Sequence, residues 1–480
     1  MKNRMFRFFK DFFIYGMASL LGKIAAIFLM PLYTNILTKE EYGAMALITS
    51  VQGLIGLVSN LNIHSGIARD YYEEGIDRKK LVSTGFLSIL SLSLSIMAIG
   101  LMTRHFWGMQ VLGLDERFIP AFTVLLLNVP AGSLMSYFAI LTRFKKKPVK
   151  FAIGSVIQLI IQLTISIVGV VVMHAGIISI FLGMLAGELF ALVYFAILNR
   201  EHIAFQFDGS ILRRALVFAI PTLPAILASW LDSSMGQILI GKYISMEELG
   251  VYSVALSIAS VFTLISTALQ NVWAPFLYEN YTKPDFNKLI RKLFSIIALV
   301  LVMITLLFAM FSREVVLILS NEGYLDAGKY IILLCIPMSF YLMFPFASSG
   351  VSISRDTKYI GISYVAGSCI NLLFLYLTIG RLGVLAVPLC LAASRVLSFF
   401  MLYSASEKKI GYRLPVHLLL ILVLVAVGGY FVVSLQLGLL TRAIIAMVAV
   451  SLLAVYVNRH FDLKSVIASF KEGQFNTSNS

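Results

Sequence analysis

Charge is scarce in this chain of 480 residues. Asp, Glu, Lys and Arg make up 13% of it, hydrophobic residues make up 59%, and the mean hydropathy is +0.91. Soluble proteins carry about 25% charged residues, and a soluble chain of this length would need them to cover several domains. The shortage excludes a soluble enzyme, a DNA-binding protein and a disordered chain. It predicts a polytopic membrane protein.

Motifs for covalent or metal chemistry are also missing. The three cysteines, Cys335, Cys369 and Cys390, lie in apolar runs without CxxC spacing, so neither a disulfide framework nor a metal site is expected. The sequence contains no GxxxxGK[ST], GxSxG or HExxH motif. The net charge of +14 would indicate nucleic acid in a soluble protein, but in a membrane protein it is typical of basic cytoplasmic loops. We therefore expect no enzyme activity, no cofactor and no nucleic-acid partner.

What the chain does contain is a series of apolar runs, each about as long as a helix that crosses a bilayer, roughly 20 residues. They predict an all-α integral membrane protein with fourteen transmembrane helices. The runs lie at 12–36, 42–64, 82–102, 118–142, 149–173, 176–198, 213–240, 247–272, 290–311, 329–350, 357–379, 382–403, 415–436 and 439–457.

The distribution of Lys and Arg predicts the topology. Fourteen spans place both termini on one side of the membrane. Of the 38 basic residues, 28 lie in the N-terminus, the loops after even-numbered spans and the C-terminal tail; 8 lie in the opposite loops and 2 lie inside spans. Because cytoplasmic loops carry the excess of Lys and Arg, both termini are predicted to be cytoplasmic.

A short motif occurs twice and predicts an internal repeat. Thr38-Lys-Glu-Glu-Tyr-Gly43 follows the first span and Ser245-Met-Glu-Glu-Leu-Gly250 follows the seventh, 207 residues later. Thr38 and Ser245 can each cap the next helix, with glutamates in its first turn, so two ordinary capped turns are the alternative interpretation. The repeat predicts two six-helix lobes plus two further helices. The predicted divisions are 1–200, 201–410, 411–460 and a cytoplasmic tail at 461–480.

Four ionisable residues lie well inside predicted spans: Lys23, Glu188, Asp232 and Arg395. Such groups are costly in lipid and turn towards protein or water. One interpretation is structural pairing, such as Lys23 with Asp232 or Glu188 with Arg395. The other is a hydrated central cavity, in which Lys23 and Arg395 bind an anionic group such as a phosphate and the carboxylates serve ion coupling.

Prolines and basic clusters add two weaker predictions. Pro31 in span one, and Pro221 with Pro224 in span seven, indicate bent first spans in both halves, as in the moving elements of transporters.

The basic cluster that includes Lys145 and Lys146 is most simply a topology signal, and Arg69 lies at the inner end of span two. A second role for these three residues is to gather anionic lipid headgroups at the cytoplasmic mouth.

Several short motifs, in this order and spacing, resemble the polysaccharide transporter family. In the first half they are Met30-Pro-Leu-Tyr-Thr-Asn-Ile-Leu37, Glu41-Tyr-Gly43 and Gly66-Ile-Ala-Arg-Asp-Tyr-Tyr72. In the second half they are Phe218-Ala-Ile-Pro-Thr-Leu-Pro224, Trp230-Leu-Asp232 and Leu249-Gly-Val-Tyr-Ser-Val254. This family contains the O-antigen and capsule flippases (Wzx-type) and belongs to the multidrug/oligosaccharidyl-lipid/polysaccharide exporter superfamily. The resemblance covers about residues 10–410.

The resemblance implies two six-helix lobes in a V around a central cavity, in the bacterial inner membrane. It implies transport of undecaprenyl-pyrophosphate-linked oligosaccharide between leaflets, with Lys23 and Arg395 available for the pyrophosphate. Polysaccharide polymerase and glycosyltransferases are the implied partners, and H⁺ or Na⁺ is the implied coupling ion. Spans thirteen and fourteen resemble the extra pair of lipid II flippases, although the first half lacks the arginines expected of one.

Two other functions stay open at this stage. A multidrug and toxin extrusion antiporter usually has twelve spans and acidic cavity residues, which the fourteen spans and the central Lys23 and Arg395 disfavour. An integral-membrane glycosyltransferase or polymerase would carry catalytic residues in a large outer loop. The longest outer loop, 312–328, holds only Arg313, Glu314, Glu322 and Asp326 as charged residues.

Overall fold

The computed structural model describes residues 21–451 except 23, 72–74, 146, 357, 436–437, 439–440, 443, 446 and 449. These residues form α-helices with short connections, and no strand occurs among them. The helices are α1 (Ile24–Ile36), α2 (Lys39–Asn60), α3 (Ile63–Asp70), α4 (Arg78–Met102), α5 (Ile119–Phe144), α6 (Pro148–Ile167), α7 (Ile178–Leu198), α8 (Gly209–Ala219), α9 (Leu223–Tyr243), α10 (Met246–Ala259), α11 (Val261–Asn280), α12 (Phe286–Leu319), α13 (Ala327–Ile353), α14 (Lys358–Leu382), α15 (Ala386–Ile410) and α16 (His417–Ser434).

The helices confirm a multi-pass membrane protein. Within the described ranges, 11 helical segments are long and apolar enough to cross a bilayer. One of them, Lys358–Ile410, contains both α14 and α15, which meet at a 3₁₀ turn over Gly383–Leu385. The shorter apolar helix Ile24–Ile36 lies within the first predicted span. The last predicted span, 439–457, falls largely outside the described residues.

Three predicted spans each divide into two helices. Span two divides into α2 and α3 at Leu61 and Asn62, whose φ angles are 43° and 53°. Span seven divides into α8 and α9 at the 3₁₀ turn Ile220–Thr222, where Pro221 lacks an N–H. Span eight divides into α10 and α11 at Ser260. Pro31 in span one, unlike Pro221 in span seven, does not interrupt its helix, α1.

Many of the helix contacts lie within one predicted half. In the first half, α5 and α6 pack against α7, and α4 packs against α5; in the second, α13 packs against α15, α12, α10 and α11. Helix α16 packs on α12 and α13, so it extends the second half. The divisions at 200, 410 and 460 stay a prediction.

The two halves meet along α2 and α3. Helix α2 packs on α10 at its beginning and on α9 further along, and α3 packs on α8. At α3 and α8 the approach is close because a Cβ on Gly66 would overlap the backbone of Ala215. Midway, the indole Nε1 of Trp230 donates to the Ser50 carbonyl at 2.9 Å. One face of the first half therefore touches the second half along its length.

Candidate functional site

The two copies of the repeated motif meet at the start of α2 and α10, the ends predicted to face outward. Thr38 caps α2 by accepting from the Glu41 amide at 3.1 Å, while the Glu41 carboxylate accepts from the Thr38 amide at 2.8 Å. Ser245 caps α10 by accepting from the Glu248 amide at 3.1 Å. The fifth residue after each cap is a glycine, Gly43 on α2 and Gly250 on α10. Each of these glycines lies against the other helix.

The two motif glycines form the contact itself, which we call the glycine contact (Gly43 and Gly250). A Cβ on Gly43 would overlap the Met246 carbonyl oxygen, and a Cβ on Gly250 would overlap the carbonyl oxygen of Lys39. Only residues without a side chain allow backbones this close. The repeated motif is therefore both a pair of helix caps and an interface between the halves.

A cavity of about 650 Å³ lies between the two halves. Its walls come from α1, α2 and α6 of the first half and from α9, α10, α13 and α15 of the second. Its charged residues in the described part of the chain are Asp232 and Arg395. Hydroxyl and amide groups line it at Thr49, Ser50, Gln162, Ser166, Ser229, Ser233, Ser234, Gln237, Ser253 and Ser257. Most of its lining surface is apolar and the cavity is partly open, so these polar groups form a patch between two helical lobes at which a headgroup can bind.

Asp232 on α9 and Arg395 on α15 form an ion pair in the wall of this cavity. Arg395 Nη2 lies 3.1 Å from Asp232 Oδ2, and the side chains are 9% and 2% exposed. Asn371 on α14 donates from Nδ2 to the other carboxylate oxygen of Asp232 at 3.1 Å. Both oxygens of the buried carboxylate therefore have partners, as a stable buried charge requires.

Two tyrosine rings hold the Arg395 guanidinium in place. Its central carbon lies 5.1 Å from the ring centroid of Tyr341 and 5.8 Å from that of Tyr364. Aromatic faces attract a planar cation within about 6 Å. The guanidinium has five N–H donors, and the ion pair uses Nη2 alone. The remaining donors can bind a further anion in the cavity.

Glu188 on α7 lies away from Arg395. Its Oε2 accepts a hydrogen bond from Asn128 Nδ2 at 2.9 Å, inside the first half. Of the pairings offered from the sequence, Glu188 with Arg395 does not form, because Arg395 pairs with Asp232. Lys23 lies outside the described residues. Glu188 and Arg395 are nevertheless 207 residues apart, the interval that separates the two motif copies.

The basic residues assigned to the cytoplasmic mouth have specific partners. Lys145 Nζ contacts Glu201 Oε1 at 2.6 Å and the Leu198 carbonyl at 3.4 Å. The hydrogen bond from Lys145 lowers the pKa of Glu201. The Arg69 guanidinium lies over the Phe218 ring at 5.5 Å. Lys146 lies outside the described residues.

The structure adds polar residues that the sequence analysis did not single out. Asn128 and Asn371 each donate to a buried carboxylate, and Tyr341 and Tyr364 flank Arg395. All four lie in predicted spans. Asparagine is uncharged but still costly to bury without a partner, so counting amides beside charges would have found Asn128 and Asn371.

Comparison with known proteins agrees with this architecture. Residues 32–329 match the model of a family described as polysaccharide biosynthesis proteins. Among curated proteins, no significant match to the sequence is found. The family match covers more than half of the chain.

Solved structures of membrane transporters share the fold. The lipid II flippase MurJ, in an inward closed conformation, is 13% identical with a TM-score of 0.69, over 93% of this chain and 99% of that one. An inward-facing multidrug resistance MATE family transporter of the MOP superfamily is 14% identical with a TM-score of 0.63, over 83% and 94%. The Vibrio cholerae MATE transporter VcmN, as a D35N mutant, is 12% identical with a TM-score of 0.57, over 86% and 98%.

The fold, two helical halves around a central cavity, is thus shared with solved multi-pass membrane transporters. The chain belongs to the family of polysaccharide biosynthesis proteins.

Proposed function

We propose that the protein is a flippase that moves an undecaprenyl-pyrophosphate-linked oligosaccharide from the inner to the outer leaflet of the bacterial inner membrane. The observation that carries the proposal is the central cavity, whose wall holds Arg395 with donors to spare. Family membership supports polysaccharide precursors as the cargo. The lipid II flippase likeness supports the fold alone.

The physical problem that such a protein solves is desolvation. Moving a pyrophosphate and several sugars through hydrocarbon unaided would strip their water, and each unpaired polar group costs several kcal/mol. The hydroxyl and amide groups of the cavity wall replace part of the water, and Arg395 neutralises part of the phosphate charge. The lipid tail stays in the bilayer, where its transfer costs nothing.

In this scheme Arg395 binds the headgroup and stays paired with Asp232, so the buried carboxylate of Asp232 is never without a partner. Asp232 holds the guanidinium through Nη2, the tyrosines orient its plane, and Asn371 keeps the other Asp232 oxygen satisfied. A pyrophosphate oxygen takes the unused donors in the bidentate geometry that arginine favours. Asp232 and Asn371 are positioning residues for that interaction.

Movement follows alternating access between the halves. In the present conformation the glycine contact closes the predicted outer ends of α2 and α10. Release to the outer leaflet requires Gly43 and Gly250 to separate while the halves rock about their remaining contacts. Both termini face the cytoplasm. Glycosyltransferases supply the substrate on the cytoplasmic side of the membrane, and a polymerase consumes it on the outer side. The energy comes from an H⁺ or Na⁺ gradient or from that consumption.

The test is surface glycan in a strain that lacks the chromosomal copy. Wild-type protein should restore glycan, and Arg395→Ala should not, when expression is adjusted so that equal amounts of folded protein are compared in the membrane. Arg381→Ala is the matched control because Arg381 lies exposed at the end of α14 in the same half. Restoration by Arg395→Ala would remove Arg395 from the binding site. If wild type conferred drug efflux instead, or its loss caused accumulation of lipid II, the antiporter or the lipid II flippase alternative would replace this proposal.

A further inference from the structure

A second pocket lies at the predicted outer end of the second half, apart from the central cavity. It has a volume of about 520 Å³ and is partly open. Helices α12, α13 and α16, which pack on one another, contribute most of its walls, and Arg442 contributes a side chain from the start of the last predicted span. Its polar lining residues in the described part of the chain are Arg313, Asp326, Lys329, Tyr430, Ser434 and Arg442.

Arg442 is the buried cation of this pocket, with a side chain that is 9% exposed. Its Nη1 and Nη2 donate to the two carboxylate oxygens of Glu314, at 3.0 and 2.7 Å, and Nη1 also donates to the Met310 carbonyl at 2.7 Å. Its Nε is buried and has no hydrogen-bond partner in the described part of the chain. The guanidinium is therefore held in place, but its donors are not all satisfied.

The other two cations of the pocket are free to bind a further anion. Lys329 Nζ lies 2.9 Å from Asp326 Oδ1, but that carboxylate is 73% exposed and so remains largely hydrated. Arg313 is exposed, and no ion pair joins it to another described residue. Three cations, Arg313, Lys329 and Arg442, stand against two carboxylates, Glu314 and Asp326. One positive charge at the pocket is therefore not compensated.

Exposed apolar side chains continue from the pocket towards the middle of the predicted bilayer on two of its helices. On α12 they are Leu307 and Phe311, and on α16 they are Val427, Phe431 and Leu435. Because residues four apart lie on the same side of a helix, each set forms a row along its helix. In a membrane such rows contact acyl chains. A lipid whose headgroup enters the pocket can therefore keep its chains in the bilayer.

We infer that this pocket binds the phosphate of an anionic phospholipid of the outer leaflet. Arginine and lysine are the side chains that bind phosphate most strongly, and basic pockets between membrane helices recognise anionic headgroups. The uncompensated positive charge matches a headgroup with a single negative charge, such as phosphatidylglycerol. The hydroxyls of Tyr430 and Ser434 can donate to its oxygens. This inference is independent of what the central cavity transports.

The binding is tested by the thermal midpoint of the purified full-length protein in a neutral detergent. A ligand that binds the folded state alone stabilises it, so short-chain phosphatidylglycerol should raise the midpoint of wild type by about 2–4 °C. Short-chain phosphatidylcholine at the same concentration has a phosphate but no net charge, and should have a clearly smaller effect. Inorganic phosphate, at equal concentration and ionic strength, should leave the midpoint unchanged.

Three results of that comparison would overturn the proposal. No response to phosphatidylglycerol would remove the site. An equal response to phosphatidylcholine would show that the charge of the headgroup is not recognised. An equal response to inorganic phosphate would assign the pocket to the free ion and not to a lipid.

Arg313→Gln tests whether the lipid binds at this pocket. Because Arg313 is exposed and in no ion pair with a described residue, the variant should fold with the midpoint of unliganded wild type. The phosphatidylglycerol concentration that gives half of the shift should rise at least about fivefold. The double variant Arg313→Gln with Lys329→Gln should not respond to the lipid.

Arg381→Gln is the matched control, because it removes an exposed cation from the predicted outer end of the same half, at the end of α14. Its titration with phosphatidylglycerol should equal that of wild type. Equal titrations of Arg313→Gln and wild type, or equal weakening in Arg313→Gln and Arg381→Gln, would overturn the assignment of the lipid to this pocket.

Discussion

The two halves place opposite charges at equivalent points of the repeat. Glu188 lies in the last span of the first half and Arg395 in the last span of the second, at the interval of the repeated motif. In each half an asparagine amide donates to a buried carboxylate: Asn128 to Glu188, and Asn371 to Asp232. Only the second carboxylate has a cation among the described residues. The second half thus pairs its carboxylate with a positive charge, whereas in the first half the described partner of Glu188 is a neutral amide.

The largest effect should come from breaking the ion pair of the second half. Arg395→Ala leaves Asp232 buried and unpaired, and removal of one partner of a buried pair costs about 3–5 kcal/mol. We expect a large fall in the thermal midpoint of the purified protein and loss of surface glycan.

A double variant separates the structural role from the transport role. Asp232→Asn with Arg395→Met removes both charges, so much of the stability should return, while glycan export should not. If export returned together with stability, the ion pair would serve the fold and not the substrate.

The next effect should come from the contact between the repeats. Gly43→Ala places a Cβ on the Met246 carbonyl, so the outer ends of α2 and α10 cannot close as they do here. Transport should fall at least about tenfold, because every cycle needs that closure. Gly56→Ala on the same helix is the control, since a Cβ there meets nothing within 4 Å.

Closure itself can be measured by labelling of a cysteine introduced at Thr49 in the central cavity. An impermeant thiol reagent added from outside should label it faster in the Gly43→Ala background than in the Gly56→Ala background. Equal rates would show that the glycine contact is not an outer gate.

Replacing the planar guanidinium of Arg395 by the ammonium group of lysine should have an intermediate effect on surface glycan. Arg395→Lys keeps the charge next to Asp232 but loses the planar donors and the stacking on Tyr341 and Tyr364. We expect glycan between that of wild type and that of Arg395→Ala, measured at equal protein levels. Full activity would mean that charge alone is enough.

The smallest effect should come from the ion pair of Lys145 and the exposed Glu201, at the predicted inner end of the first half. Lys145 lowers the pKa of Glu201, so the contribution of this pair to stability is present above the unfolded pKa of Glu201, about 4.3. It is lost as the pH falls through the lower pKa of the folded state. Glu201→Gln should lower the thermal midpoint slightly at neutral pH. It should not change the midpoint at a pH below the pKa of Glu201 in the folded state. Because the Glu201 carboxylate is exposed to solvent, a large effect would contradict this interpretation.

Hydropathy and charge predicted the helices, because a span must satisfy its own backbone and so requires a long apolar run. The interruption at Leu61 and Asn62 could not be predicted in this way, since neither residue is glycine or proline. Gly43 and Gly250 were visible in the motif, but the motif alone indicated capping. Their contact depends on how two helices 207 residues apart pack.

The candidate site was predictable in its charges and not in its pairing. Asp232 and Arg395 stood out as ionisable residues in spans, yet the pairings considered joined other residues. Which charges meet depends on the packing of α9, α14 and α15, and no local pattern encodes it. The amides of Asn128 and Asn371 escaped notice because they are neutral.

The central claim is that Arg395 in the cavity carries the headgroup across the membrane. Its most direct test is reconstitution of purified protein into vesicles loaded with fluorescent undecaprenyl-pyrophosphate-linked oligosaccharide, with arrival at the other leaflet read by a membrane-impermeant quencher. Wild type and Arg381→Ala should transfer the lipid, and Arg395→Ala should not. Equal transfer by Arg395→Ala and wild type, or none by wild type in the presence of a sodium and a proton gradient, would contradict the claim.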